Sequence, residues 1–309
     1  MIFLYYSFIW VDKYTYINHV PRGTQKMSLV KNSYKSMKIK DFLVSNEEFS
    51  VVLNKTHGYL ETHPQPGPES LAKYYESEAY ISHTDSKKGI LAFLYQTVKR
   101  YALQSKIKSI NKLNGGVGSV LDIGAGTGDF LKAAAEKSWV VQGVEINPAA
   151  REIAKSKNIE LFESIDDFQG ETFDVVTLWH VLEHLPDLYQ TVQKIEALVK
   201  EGGTLVIAVP NFNSKDAAYY QNFWAAYDVP RHLWHFSQAS MRSLFSSEFE
   251  LVKTKPMVFD AFYVSLLSEK YKSGNNFSLH ALWIGFLSNW SAMKTKEYSS
   301  LIYCFKKAK

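Results

Sequence analysis

The stretch that most constrains this chain is Ser119-Val-Leu-Asp-Ile123, followed at once by glycines at 124, 126 and 128 and then by Phe130-Leu-Lys-Ala-Ala-Ala-Glu136. A short apolar strand feeds a glycine turn, which feeds a strong helix former. Glycine tolerates positive φ and lets a ligand approach the backbone closely. The N–H groups at the start of the helix then face that ligand. The same alternation continues downstream. Trp139–Val144, Phe173–Trp179, Gly202–Val209 and Ser300–Phe305 read as strands, and Ala149–Lys157 and Tyr189–Lys200 as helices. Strands alternating with helices predict an α/β fold around a parallel, doubly wound sheet.

Seventeen residues past Gly128, the second strand ends at Glu145. A carboxylate there is placed to accept hydrogen bonds from the ribose hydroxyls of a nucleoside lying across the strand tips. Two cofactor classes use such a turn. A dinucleotide site needs a small residue at the sixth position, for close packing of helix on strand. Here that position is Asp129 counted from Gly124, or Leu131 counted from Gly126. The order is instead Asp122-x-Gly-x-Gly-x-Gly.

That segment resembles the first motif of class I S-adenosylmethionine-dependent methyltransferases, and Gly143-Val-Glu-Ile-Asn147 resembles the next. The resemblance implies a Rossmann-like seven-strand sheet with an antiparallel last strand, and S-adenosyl-L-methionine as cofactor. It implies that Gly124, Ala125, Gly126 and Gly128 pass beneath the methionine part. Glu145, with Ile146 beside it, would hold the ribose, and Asp122 would lie near the amino group. Asp166, in Ser164-Ile-Asp-Asp-Phe168, is the candidate against adenine, with Asp167 an equal alternative. Trp179 is a candidate pocket wall.

Asp174-Val-Val-Thr-Leu-Trp-His-Val-Leu-Glu-His-Leu-Pro186 carries His180-x-x-Glu183-His184. Alone it matches an inverted zinc-protease pattern, but that chemistry needs a long helix, and Pro186 follows two residues later. The context resembles the fourth strand of the subgroup that includes the ubiquinone-pathway O-methyltransferases. Its E-x-x-E-H stretch binds a divalent metal; here His180 replaces the first acid. No metal is assigned on this basis, and Glu183 and His184 have two open readings, metal ligation or hydrogen bonding to loop backbone. His180 is a candidate general base, since imidazole titrates near neutrality, or else a residue packed on the cofactor.

Asn222–Phe236 gathers Asp228, Arg231, His232 and His235 after the strand ending at Pro210, where open α/β sheets build their crevice. It resembles a bacterial methyltransferase subgroup bearing D-x-P-R-H-L-x-H-F, some members of which are associated with glycan or lipid-linked pathways. His232 joins His180 as a catalytic candidate. Tyr75, Asp228, Arg231 and His235 are candidates for the acceptor, with a buried network tying loop to core as the alternative. That subgroup has an N-terminal zinc ribbon ending in P-x-P. Pro64-Gln-Pro66 is present but the paired cysteines are absent, so residues 38–68 read as a ribbon-like segment without thiolate zinc. Residues 69–309 form the methyltransferase domain. Two apolar helices within about 257–293 cap a lipophilic acceptor, touch membrane, or pack on the core.

Charge separates the tail from the body. Residues 1–40 hold seven Lys/Arg and one Asp, so of the net +4 the other 269 residues carry −2. A near-neutral body offers no nucleic-acid footprint. Residues 1–37 read as a disordered or mis-started tail, whose apolar opening of about ten residues falls short of a span of roughly 20. One cysteine, Cys304, fits a reducing, cytoplasmic setting. The reading is therefore a methyltransferase of a small-molecule, glycan or lipid-linked acceptor, without nucleic acid or stable membrane insertion. A degenerate cofactor-binding fold is the main alternative, followed by an NAD-dependent oxidoreductase.

Overall fold

The computed structural model of the chain describes residues 36–67, 70, 72–75, 90–275 and 277–309. The basic tail, apart from its last two residues, lies outside them. Strands β1 (Met37–Lys40), β2 (Glu48–Leu53) and β3 (Leu60–His63) pair antiparallel in sequence order. Tyr74 and Tyr75 sit buried in a single 3-10 turn, Ala72–Tyr75. A long helix, α1 (Ile90–Asn114), leads into the main sheet.

The alternation read from the sequence is then realised as β4 (Ser119–Ile123), α2 (Asp129–Ala135), β5 (Val140–Val144), α3 (Pro148–Lys155), β6 (Phe173–Trp179), α4 (Leu188–Ala197) and β7 (Val199–Pro210). After β7 come α5 (Lys215–Tyr220), the short strand β8 (Trp234–His235), α6 (Gln238–Arg242), β9 (Phe249–Pro256), α7 (Asp260–Ser273), α8 (Leu279–Thr295) and β10 (Ser300–Lys307). The main sheet runs β5-β4-β6-β7-β10-β9, and only β10 opposes its neighbours. From Val175 to Trp179 β6 is buried without interruption, as helices on both faces require.

Two boundaries differ from the sequence reading. Among the described residues the sheet has six strands, not seven. Beyond β5, at the edge of the sheet, Val144 pairs with Phe162 in a single bridge. Ser164 then caps the 3-10 turn Ile165–Phe168, accepting from Asp166 N–H while Asp167 accepts from Ser164 N–H, and this turns the backbone away from the ladder. The helix expected to reach Lys200 ends at Ala197, because Val199 pairs with Phe173 and is buried.

Strand β8 pairs with β3, Leu60 opposite His235, and completes the N-terminal sheet. A cluster around Phe49, Leu60, Tyr75, Trp224, Tyr227 and Val264 binds that sheet to the 222–236 loop and α7. Residues 38–63 are therefore fastened to the loop that follows the sheet.

Candidate functional site

Gly124, Gly126 and Gly128 all adopt left-handed backbone, with φ of 72°, 56° and 71°. Three alternate positive φ values are why the turn needs glycine at each of these positions. The N–H groups of Gly124 and Ala125 both donate to Val144 O at 2.8 Å, locking the turn against the tip of β5. Glu145 follows directly. Its buried carboxylate accepts from Gly126 N–H at 2.8 Å and Asn147 N–H at 2.9 Å, and burial still holds its pKa above the ordinary value. Arg151 donates to the carbonyls of Glu145 and Ile146, fixing the segment. Asp129 is the acid that broke the dinucleotide pattern. It opens α2 and pairs with Lys99 and Lys157.

Asp122 is 0% exposed. Its Oδ1 accepts from Thr177 Oγ1 at 2.6 Å, and Oδ2 has no hydrogen-bond partner among the described residues. Burial raises its pKa, against the opposing pull of Thr177 and Lys106. Lys106 comes from α1, its Nζ 4.1 Å from the centre of the Trp179 ring. Burial drives that ammonium's pKa down, with Asp122 and Asp260 opposing. Trp179 is buried against Phe130 in the core between sheet and helices.

Ile123 is level with Leu178, so Gly124 and His180 extend from adjacent strand tips. His180 is non-glycine backbone with φ of 60°. Its ring lies between two carboxylates: Nδ1 is 3.4 Å from Glu183 Oε1, and Nε2 is 3.4 Å from Asp260 Oδ2. Burial pushes the imidazolium's pKa down, but Asp260 and Glu183 outweigh it and hold it above the ordinary value.

The 222–236 loop is a packed structure rather than a surface loop. Arg231 is 1% exposed and donates to Asp228, to Asp41 at 3.0 Å and to Tyr74 O at 3.0 Å. Burial acts against its charge, yet Asp228 and Asp41 raise its pKa further. Thr62 Oγ1 gives its only proton to His232 O, so His235 Nε2 donates to Thr62 at 3.0 Å. His235 and Arg231 thus both have protein partners that tie the loop to β1–β3. Asp166 likewise pairs with Lys194, which leaves Asp167 as the cap of its turn.

His184 and His232 meet edge to face, ring centres 4.4 Å apart. His184 Nδ1 contacts Arg231 O at 3.0 Å and His232 Nδ1 contacts Ala226 O at 2.9 Å. A carbonyl only accepts, so both Nδ1 atoms carry the proton and both lone pairs sit on Nε2. Burial lowers these histidines to about 3 and about 4, with the His184–His232 juxtaposition adding for His184. Glu183, His184 and His232 offer ligand atoms within 4.8 Å of one another. Neither Glu183 carboxylate oxygen has a hydrogen-bond partner among the described residues. Neutral imidazoles oriented through backbone carbonyls, beside such a carboxylate, fit a divalent cation. Tyr75 Oη lies 3.4 Å from His184 Nδ1.

The fold brings Asp122, Glu145, His180, Tyr75 and His232, all candidates from the sequence, to one end of the sheet. Beside them it places Lys106, Thr177 and Asp260, which the sequence reading did not single out. A signal existed for the last: Asp260 is the lone acid in the apolar run Met257–Leu267.

A domain with these glycines, this strand-tip acid and this sheet order defines a class. Residues 95–253 match the family model described as a methyltransferase domain. The chain belongs to that methyltransferase-domain family. Among curated proteins it is similar to the ubiquinone biosynthesis O-methyltransferase of Saccharophagus degradans, 33% identical over 106 residues, covering 31% of this chain and 45% of that one. The enzyme of the same name from Haemophilus ducreyi is 34% identical over 115 residues, covering 32% and 49%. The chain thus spans about half the length of the curated relatives it matches. The fold is also that of the 1,6-didemethyltoxoflavin-N1-methyltransferase of Burkholderia thailandensis, solved with bound 1,6-didemethyltoxoflavin and S-adenosylhomocysteine. The TM-score is 0.50 at 15% identity, with 89% of this chain and 100% of that one covered.

Proposed function

We propose that the protein is an S-adenosylmethionine-dependent methyltransferase acting on a small-molecule, glycan or lipid-linked acceptor. Likeness to ubiquinone-pathway O-methyltransferases favours oxygen as the acceptor atom. The observation that carries the reading is the pairing of Glu145 with the glycine turn. Its carboxylate is held by Gly126 and Asn147 N–H at the strand tip, with lone pairs left for two ribose hydroxyls. Asp122 Oδ2, buried and unpartnered among the described residues, suits the cofactor's ammonium.

When bound, S-adenosylmethionine supplies a sulfonium methyl group that moves to the acceptor as the sulfonium becomes a thioether. The chain's share of the chemistry is alignment and proton management. Holding donor and acceptor in line supplies most of the acceleration. Above its raised pKa, His180 takes the acceptor's proton at Nε2 or Nδ1, and Asp260 or Glu183 stabilises the resulting imidazolium. Glu183, His184 and His232 would hold a divalent cation, which would lower the pKa of an acceptor hydroxyl. His232 thus serves better as a ligand than as a second base.

The buried Cys304 and the near-neutral body suit a cytoplasmic protein with no nucleic-acid partner. Calorimetric titration of the full chain with S-adenosylmethionine, S-adenosylhomocysteine and NAD tests the reading. Micromolar binding of the first two without NAD is the expected outcome. A folded sample silent to both would overturn it. Binding without transfer to any acceptor would favour the degenerate cofactor-binding protein.

A further inference from the structure

Helix α8 buries the small residues Ala281, Gly285, Ser288 and Ala292 together with Ile284. A Cβ on Gly285 would meet Ala261 O at 2.9 Å, so this small face lets α7 approach at backbone distance. Five other bulky residues point the other way. Leu279, Trp283, Phe286, Trp290 and Met293 recur every three or four residues, and Trp283 and Trp290 are 54% and 60% exposed. Spacing of this kind puts them on one stripe, about 21 Å long. A helix in water ordinarily shows the reverse, with large apolar groups inward and small or charged ones outward.

Charge indicates what covers the stripe. Residues 277–296 contain no Asp or Glu. Lys294 and Lys296 close its C-terminal end. At the other end the ammonium of Lys272 lies 4.9 Å from the Tyr219 ring, which contacts His280 of the first turn of α8. Aromatic residues in the middle and lysines at both ends match the interfacial layer of an anionic bilayer, where rings enter the headgroup boundary and cations meet lipid phosphate. At 17 residues, α8 lies on the surface rather than across it, and no helix among the described residues is long and apolar enough to cross a membrane.

We infer that the exposed face of α8 docks this protein reversibly on anionic lipid surfaces, through Trp283, Phe286 and Trp290, with Lys272, Lys294 and Lys296 as the electrostatic contacts. One acyl-boundary helix with three cations gives weak, salt-sensitive attachment. The surface is separate from the methyl-transfer reading, and its test needs neither cofactor nor acceptor.

The test is flotation of the full chain with phosphatidylcholine vesicles, with and without phosphatidylglycerol. Binding to the anionic vesicles that falls as salt rises is expected. W283Q/W290Q should weaken it by about tenfold or more with an unchanged melting temperature, and K294E/K296E should erase the preference for anionic lipid. Bromine-labelled acyl chains should quench tryptophan emission of the native chain but not of W283F/W290F, a conservative variant that decides the matter if the polar one fails to fold. Absence of flotation, equal flotation of a folded W283Q/W290Q, or quenching that survives in W283F/W290F would overturn the proposal. A sedimentation dimer that W283Q/W290Q dissolves would replace the lipid with a second copy of the chain.

Discussion

Asp260 Oδ2 lies 3.4 Å from His180 Nε2, although eighty residues separate them in sequence. The contact joins the first turn of a helix inserted late in the chain to the tip of a central strand, and it sets the state of the proposed base. Because Asp260 and Glu183 hold His180 above its ordinary pKa, the neutral imidazole that can accept a proton forms only at higher pH. Methyl transfer should therefore rise with pH through a value above 6.5. D260N should move that limb, and the His180 titration followed by NMR, toward lower pH. H180A should cost about 10²–10⁴ in turnover with cofactor affinity kept. An unmoved limb in D260N would remove the coupling.

Glu145 and Asp122 should separate by readout. E145A removes the ribose acceptor and should weaken S-adenosylmethionine binding by about tenfold or more, roughly 1.4 kcal/mol. Asp122, its pKa raised by burial, meets an ammonium only once ionised. Cofactor affinity should therefore increase with pH above the ordinary carboxylate range, and D122N should abolish that dependence. Calorimetry across pH checks both.

The metal-free protein should lose stability in acid through its buried histidines. Burial sets the folded-state values of His184 and His232 at about 3 and about 4, and that of His235 well below 6.5. The unfolded chain binds these protons first, so stability is complete above 6.5 and falls as pH drops toward 4. His180 has the opposite sign. Its raised value adds stability below 6.5 that disappears as pH climbs past the folded-state pKa. Urea midpoints over this range should fall on the acid side, and H235Q should flatten the fall.

The part of the site legible in the sequence is the part made by local chain. Gly124, Gly126 and Gly128 adopt positive φ within one turn, and Glu145 stands at the tip of the next strand, so spacing together with the family resemblance made them candidates. Asp260 and Lys106 reach the same site from α7 and α1, and no local pattern encodes a contact between distant elements. The seventh strand that the resemblance implied is absent among the described residues for a related reason. Phe162 is apolar, but the Ser164–Asp167 capping box claims the backbone before a ladder can extend. The loop around Arg231 was legible as chemistry but not as burial, since its partner Asp41 lies 190 residues away.

Divalent metal should bind at Glu183, His184 and His232, whose ligand atoms lie within 4.8 Å of one another. Titrating Mn²⁺ or Zn²⁺ into the chelator-treated chain should show one site, and H232A should lower its affinity by far more than twofold. The bound cation needs neutral imidazoles, which the folded protein keeps down to about pH 4, so affinity should hold through mild acid. Arg231→Met tests the scaffold instead. It leaves Asp41 and Asp228 without their buried cation and should cost about 3–5 kcal/mol of stability. Its carbonyl would still accept from His184 Nδ1, because the main chain is unchanged. A folded Arg231→Met with native metal affinity would therefore assign the guanidinium to tethering β1–β3. Loss of metal affinity along with the loss of stability would show that the tether also shapes the site.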